Sequence, residues 1–277
     1  MYPILFTIPY VGPVYSYGFM LALAFLTGWH LTQHFVAKDK VTDKNTSANA
    51  MKVAIITAIL GARIMYFVVN PEHLNSIADF FAFSRGGMVA YGGFIAATFS
   101  TIAYLKWRKV HVWRFGDAVA PALAIGTAIT RVGCLLFGCD YGAISDLPWA
   151  LSFPKGSPSF QHHFSEGLIS ADATASLPVH PTQIYESLYA LLIFAILLWL
   201  RKIMQTSAPK ISTKPRGYVF LTFVALYAFF RFLNEIIRAD TGRGSLGPFS
   251  TSQFIAILTI GLAIWGFKAF KSPQNNR

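Results

Sequence analysis

Residues 88–105 read MVAYGGFIAATFSTIAYL, and residues 106–114 read KWRKVHVWR. The first stretch contains no Asp, Glu, Lys or Arg, whereas the second holds Lys106, Arg108, Lys109 and Arg114. Such an apolar run is too long for a buried strand, and it approaches the roughly 20 helical residues that cross a bilayer. A basic loop directly behind it marks a cytoplasmic flank. The same pairing recurs along the chain. Apolar segments at about 15–37, 50–70, 87–105, 115–137, 181–200, 217–237 and 251–268 predict an all-α integral membrane fold with seven transmembrane helices. Gly61, Gly92, Gly93, Pro121 and Gly126 fall inside these segments, where lipid tolerates them better than water does.

The 277 residues carry a formal charge of +11, yet only 13% are charged and 54% are hydrophobic. A soluble domain is about 25% charged, so this composition argues against a soluble nucleic-acid-binding protein and against disorder. The basic residues sort by topology. Lys38, Lys40, Lys44 and Lys52 occupy one loop, and Lys106, Arg108, Lys109 and Arg114 a second. Arg201, Lys202, Lys210, Lys214 and Arg216 occupy a third, and Lys268, Lys271 and Arg277 the tail. In a seven-span chain these sixteen of the 23 basic residues share one side. The positive-inside rule makes that side cytoplasmic, with the N-terminus outside and the C-terminus inside. No Lys or Arg precedes the first apolar run, so a cleavable secretory signal is not expected. Loop 138–180 carries Asp140, Asp146, Glu166 and Asp172 against Lys155 alone. It is expected to form a small extracytoplasmic cap on a single membrane domain spanning residues 1–277. His162 and His163 in that cap are expected to be solvent-exposed and inert. No internal repeat is visible, which counts against an inverted-repeat transporter.

Charge at membrane depth costs about 2.5–3.5 kcal/mol on insertion scales, so each instance is a functional candidate that needs a partner. Arg63, Arg131 and Arg231 lie within predicted spans, all nearer the outer face. A guanidinium fork suits a phosphate in a partly dry site, because it bonds two oxygens and stays charged. Several arginines facing one outer-leaflet cavity imply an anionic ligand such as a phospholipid headgroup. The competing reading is internal pairing: Glu235 stands at i,i+4 from Arg231, and Glu186 could neutralise another arginine. Gly92 and Gly93 permit close approach of either a second helix or a ligand. Tyr17 and Tyr227 could donate hydrogen bonds to a headgroup, or simply mark the membrane interface.

Several motifs occur in a specific order. Tyr17-Gly18 is followed by Gly61-Ala62-Arg63-Ile64, then by Arg85-Gly86-Gly87 with Tyr91-Gly92-Gly93. Arg131-Val132-Gly133 through Gly138 and Tyr141-Gly142 come next, then His180-Pro181-Thr182-Gln183-Ile184-Tyr185-Glu186, then Arg231 with Glu235 and Arg238. From about residue 13 to 268 the chain resembles the bacterial prolipoprotein diacylglyceryl transferases. The resemblance implies a seven-helix enzyme of the bacterial inner membrane that needs no cofactor. It implies phosphatidylglycerol and a preprolipoprotein as partners, the lipid's diacylglyceryl group passing to a lipobox cysteine thiol with release of glycerol phosphate. It also implies Arg131 and Arg231 as catalytic arginines, Tyr17 and Tyr227 as functional tyrosines and Gly142 as a characteristic loop glycine. Arg63, Gly92, Gly93, His180, Gln183, Glu186, Glu235 and Arg238 are the further candidates for substrate binding.

Two departures stand out. Tyr91 takes the place of the family's usual histidine, and a phenol of ordinary pKa about 10 is a poor base at neutral pH. Tyr91 then either positions the headgroup or has a lowered pKa, or else the acceptor differs from a lipobox cysteine. Cys134 and Cys139 stand where the family usually has Asn and Glu. In an unbroken helix their side chains point about 140° apart, so a disulfide needs a break near Gly138. A disulfide, small core residues and a reactive thiol are the three readings of this pair. No further ligand at zinc-like spacing is apparent, so no metal site is expected. A family-fold transferase with another acceptor, and a non-enzymatic lipid or anion transporter, are the rival functions.

Overall fold

The computed structural model describes residues 3–10, 12–73, 76–81, 87–206, 217–239, 245–246 and 249–271. Arg85 and Gly86 of the third motif lie outside the described residues. All seven predicted segments are helical: α1 Ser16–Lys38, α2 Lys44–Val69, α4 Ala90–Trp107, α5 Val112–Phe137, α7 Thr182–Thr206, α8 Tyr218–Ile237 and α9 Thr251–Lys271. Two short helices, α3 Ile77–Phe81 and α6 Pro158–Ser165, complete the helical set among the described residues. Two small antiparallel hairpins accompany them, β1 Ile4–Ile8 with β2 Gly12–Tyr15, and β3 Ser245–Leu246 with β4 Phe249–Ser250. Among the described residues, α2, α5, α7, α8 and α9 are long and apolar enough to cross a membrane. Phe94, Phe99, Trp199, Leu262 and Trp265 are exposed on the outer surfaces of long helices, which fits a lipid rather than an aqueous surround. The protein is a helical membrane protein.

The chain forms two compact units, Thr32–Ala118 and the combination of Met1–Leu31 with Val119–Arg277. In the first, Asp43 caps α2 by accepting from the Thr46 amide at 2.8 Å, which holds its carboxyl below the usual range. Pro71 follows the end of α2 and cannot continue it. Helices α2 and α4 then approach backbone to backbone. A Cβ on Gly61 would collide with Ala96 Cβ and the Gly92 carbonyl, and one on Gly93 would lie 2.8 Å from the Ala58 oxygen. Thr57 and Ser100 add a 2.7 Å hydrogen bond across the same seam. Close approach of small residues is how helices associate where no hydrophobic force separates protein from solvent. Of the two readings open for Gly92 and Gly93, helix contact is the one their neighbours show.

Arg63 is 3% exposed in this unit. It donates from Nε to the Phe80 carbonyl at 3.0 Å, from Nη1 to Gly87 at 2.8 Å and from Nη2 to Asp79 at 2.5 Å. Its guanidinium also sits 4.7 Å from the Phe67 ring centre. Pairing within the protein, rather than a free fork, is what surrounds it. It ties α2 to α3 and to the segment entering α4.

In the second unit, Ala120, Ala124 and Ala128 form a small-residue stripe on α5. Tyr189, Ala190, Ile193 and Leu197 of α7 and Val219 of α8 close on that stripe. Tyr189 stacks on Phe230 with ring centres 5.2 Å apart, and Ser187 bonds the Ala128 carbonyl at 3.1 Å. Segment 138–180 folds between α5 and α7 around Tyr141, Phe153 and Val179. Isolated bridges such as Ile144 to Val179 and Pro154 to Ala175 hold it, and Ser157 with Pro158 starts α6. His163 corrects the sequence expectation. It is only 3% exposed and its Nδ1 accepts from the Leu177 amide at 3.2 Å. His162 is paired to the Tyr141 hydroxyl at 2.6 Å. A polar composition suggested exposed rings, but the loop returning at Leu177 buries one of them.

Gly92→Val should lower the stability of the purified protein by about 1–3 kcal/mol or more, since the added carbons meet backbone that cannot yield. A Cβ at Gly261 meets open space, so Gly261→Ala should leave the thermal midpoint in detergent unchanged or raised. The cap should also respond to pH. Burial, assisted by His162, holds the His163 pKa below its ordinary 6.5. The unfolded ring therefore takes a proton at a higher pH than the folded one. Cap stability should be full above pH 6.5 and fall as the pH drops through the folded pKa. The fluorescence of Trp149 followed against pH should show this slope, and His163→Leu should flatten it.

Candidate active site

Helices α5, α7 and α8 each bring ionic side chains to one place in the second unit. Glu186, in the first turns of α7, is 1% exposed. Its Oε2 pairs with Arg131 Nε, and its Oε1 accepts from Asn234 Nδ2 at 2.8 Å. The same Oε1 lies 3.6 Å from Arg231 Nη1 and 3.8 Å from Arg238 Nη1. Arg231 reaches Glu235 one turn along α8 at 2.6 Å, the pairing anticipated from i,i+4 spacing. Three arginines and two glutamates therefore meet in one cluster. A buried carboxylate without such partners would carry several kcal/mol of desolvation cost.

Asp140 completes the set, and the sequence reading gave it no role beyond an acidic cap. Arg131 Nη1 reaches its Oδ2 at 2.6 Å and Arg238 Nη2 its Oδ1 at 2.5 Å. Burial alone would raise this carboxyl, but Arg131 and Arg238 more than offset it and bring the pKa down to about 2. Local backbone explains how Asp140 arrives there. Gly138 takes φ +87°, ends α5 and reverses the chain, and Asp140 itself adopts φ +60°. Thr182 fixes the turn by donating to the Asp140 carbonyl at 2.5 Å, and Gln183 donates to the Cys139 carbonyl at 2.6 Å. Gln183 thus positions the turn.

Accessibility is unequal within the cluster. The Glu186 and Glu235 side chains are 1% exposed, whereas Arg131 is 18% and Arg231 16% exposed. Tyr17 lies in the electrostatic neighbourhood of Arg131, Asp140, Cys134 and Cys139, and Tyr227 in that of Arg131, Arg231 and Glu186. Gly133 brings α1 close, since a Cβ there would stand 3.3 Å from Tyr17 Cα.

The remaining candidates divide. Gly142 is sterically required: a Cβ would lie 2.6 Å from His180 Cβ and 2.8 Å from the Ile237 carbonyl. Its amide bonds the His180 carbonyl at 2.9 Å, so it docks the cap onto the ends of α7 and α8. His180 Nδ1 pairs with the Tyr185 hydroxyl at 3.3 Å, and Trp149 donates to that hydroxyl at 2.7 Å. Tyr91 stands exposed in the first turn of α4, within the other unit. Cys134 and Cys139 are free thiols, so the disulfide reading does not describe this structure even though the break at Gly138 is present. Sequence reasoning missed Asp140, Asn234, Thr182 and Ser252, the last lying 3.4 Å from Arg231 Nη2. Asn234 beside Glu235 in an otherwise apolar helix was the one available signal.

Known proteins resemble this chain along nearly its whole length. Residues 3–268 match the family model described as prolipoprotein diacylglyceryl transferase. A phosphatidylglycerol–prolipoprotein diacylglyceryl transferase from Clostridium tetani is 30% identical over 267 residues, covering 96% of this chain and 97% of its own. A second transferase of that name from Clostridium perfringens is 29% identical, covering 94% of this chain and 93% of its own. One from Trichormus variabilis is 29% identical, over 91% of this chain and 86% of its own. With the match running from the first hairpin to the last helix, the chain belongs to the prolipoprotein diacylglyceryl transferase family.

Proposed function

We propose that this protein transfers the diacylglyceryl group of phosphatidylglycerol to the lipobox cysteine thiol of a preprolipoprotein. The observation that carries this reading is the pairing of Arg131 and Arg231, whose side chains are 18% and 16% exposed, with the buried Glu186 and Glu235. The acceptor sulfur attacks the glycerol carbon that bears the phosphoester. A carbon–sulfur bond forms, the carbon–oxygen bond breaks, and its electron pair leaves with the phosphate as glycerol phosphate. Negative charge therefore grows on the leaving group, where prepositioned guanidinium groups stabilise it. The thiol proton passes to solvent. A thiol of ordinary pKa about 8.5 needs less help to ionise than a hydroxyl. Tyr17 and Tyr227 are assigned to the lipid headgroup beside the arginines.

The setting is the bacterial cytoplasmic membrane. Seven helices cross it, the N-terminus and the cap over 138–180 face outward, and the C-terminus faces the cytoplasm. Support comes from the sixteen basic residues that collect on one side of such a chain and from the helical state of all seven segments.

Arg131→Ala and Arg231→Ala should each reduce transfer by at least about 10²–10³-fold, the usual loss of a transition-state donor. The assay uses purified protein, phosphatidylglycerol and a lipobox peptide, with product mass as the readout. Wild-type turnover in both variants would remove the proposal. Arg131→Lys should not restore activity, because an ammonium cannot reproduce the fork. Glu186→Gln should destabilise the protein by about 3–5 kcal/mol, as for a buried pair that loses one partner, and lower transfer with it. Thermal unfolding and the same peptide assay measure the two effects.

A further inference from the structure

The fold brings the two cysteines together in a specific way. Both the Gly138 amide, at 2.8 Å, and the Cys139 amide, at 3.2 Å, bond the Cys134 carbonyl. This is the helix-ending turn that sets the side chain of the fourth-last helical residue against the residue following the left-handed glycine. Spacing of five, which separates two side chains in a continuous helix, here makes them neighbours. Cys134 Sγ, Cys139 Sγ and a carboxylate oxygen of Asp140 all lie within 4.8 Å of one another. Asp140, next to Cys139 in sequence, reaches Cys134 through this turn.

The place among these donors is already cationic in character. Arg131 Nη1 donates to Asp140 Oδ2 at 2.6 Å and approaches Cys134 Sγ at 3.7 Å. Cys139 Sγ lies 3.9 Å from the same Oδ2. Cys134 is buried and Cys139 half-buried, so solvent reaches the group from one side.

We propose that Cys134, Cys139 and Asp140 form a binding site for a thiophilic divalent cation of the zinc class, which takes the place of the Arg131 guanidinium among them. Two thiolates and one carboxylate are a donor set suited to such an ion, with a fourth position left for water. The charge balance favours it. Two S–H bonds break, two protons pass to solvent and two metal–sulfur bonds form, with no change of oxidation state. The incoming +2 is matched by the two thiolates, so the neutral cluster around Glu186 and Asp140 keeps its formal charge. Displaced from Asp140, Arg131 loses the partner that aims it. Occupancy therefore inhibits transfer, a consequence that rests on the role proposed for Arg131 above.

Cadmium is the probe, because its thiolate complexes absorb in the ultraviolet. Titrating the purified full-length protein should give a thiolate-to-cadmium absorption band saturating at one ion per chain. Cys139→Ser, at the half-buried position, should weaken binding by about tenfold or more, at least as much as loss of an outer-shell partner does. Cys134→Ser should do the same where it folds, as checked by gel filtration in detergent. No band in the wild type, or undiminished binding in Cys139→Ser, would overturn the site. The second arm measures transfer against cadmium, each chain relative to its own uninhibited rate. Wild type should be inhibited over the range in which the band grows, and Cys139→Ser should need about tenfold more cadmium. Binding without inhibition would overturn displacement of Arg131. Absence of transfer in the metal-free wild type would instead count against the proposed function and leave the binding result standing.

Discussion

The carboxylate of Glu186 is the constraint on which the second unit is built. It is buried at the point where α5, α7 and α8 meet, and each of those helices is committed by its charge. Arg131 comes from α5, Asn234 and Arg231 from α8, and Arg238 from the end of α8. A carboxylate removed from water costs several kcal/mol unless its lone pairs are met, so the three helices must stay in the register that supplies those partners. The apolar part of α7 follows directly from this. One turn beyond Glu186, Tyr189 and Ala190 begin the stripe that continues through Ile193 and Leu197 against the alanines of α5. The polar end sets the rotation of the helix, and the apolar length holds it.

Asp140 extends that ionic arrangement into the cap. It joins Arg131 and Arg238, which are far apart in sequence, and its position depends on two backbone features. Gly138 reverses the chain in a conformation glycine adopts without penalty, and Thr182 grips the carbonyl that follows. Gly142 then lies flush against His180 and the end of α8. The cap therefore docks through residues with little or no side chain, which lets Asp140 rather than a bulkier group meet the arginines. Within the cluster the arginine side chains keep some exposure, whereas the glutamates have almost none.

Much of this was legible from sequence where the physics is local. Long apolar runs bounded by basic loops identified every long helix, because the cost of charge in lipid acts residue by residue. The Arg231–Glu235 pair followed from helical spacing, and Glu186 was recognised as a partner for some arginine. His163 was misread because burial of a cap residue depends on a loop that returns fourteen positions later. Arg63 had two readings, and only the carbonyls of Phe80, Gly87 and Asp79 decided between them. The contact of Cys134 with Cys139 needed the actual turn at Gly138, since helical spacing alone sets them apart.

The sequence by itself determined that this is a helical membrane protein, which residues carry charge at depth, and the family whose ordered motifs it shares. The first two come from local composition and periodicity, and the third from a resemblance of motifs in sequence order, none of which a distant contact can alter. Tertiary structure alone decided how the arginines are neutralised, that Asp140 joins them, and that the glycines of α2 and α4 lie where the two helices touch. Each of those depends on which groups far apart in sequence come within hydrogen-bonding or van der Waals distance. In a buried site, that distance decides whether a charge is stabilised or prohibitively costly.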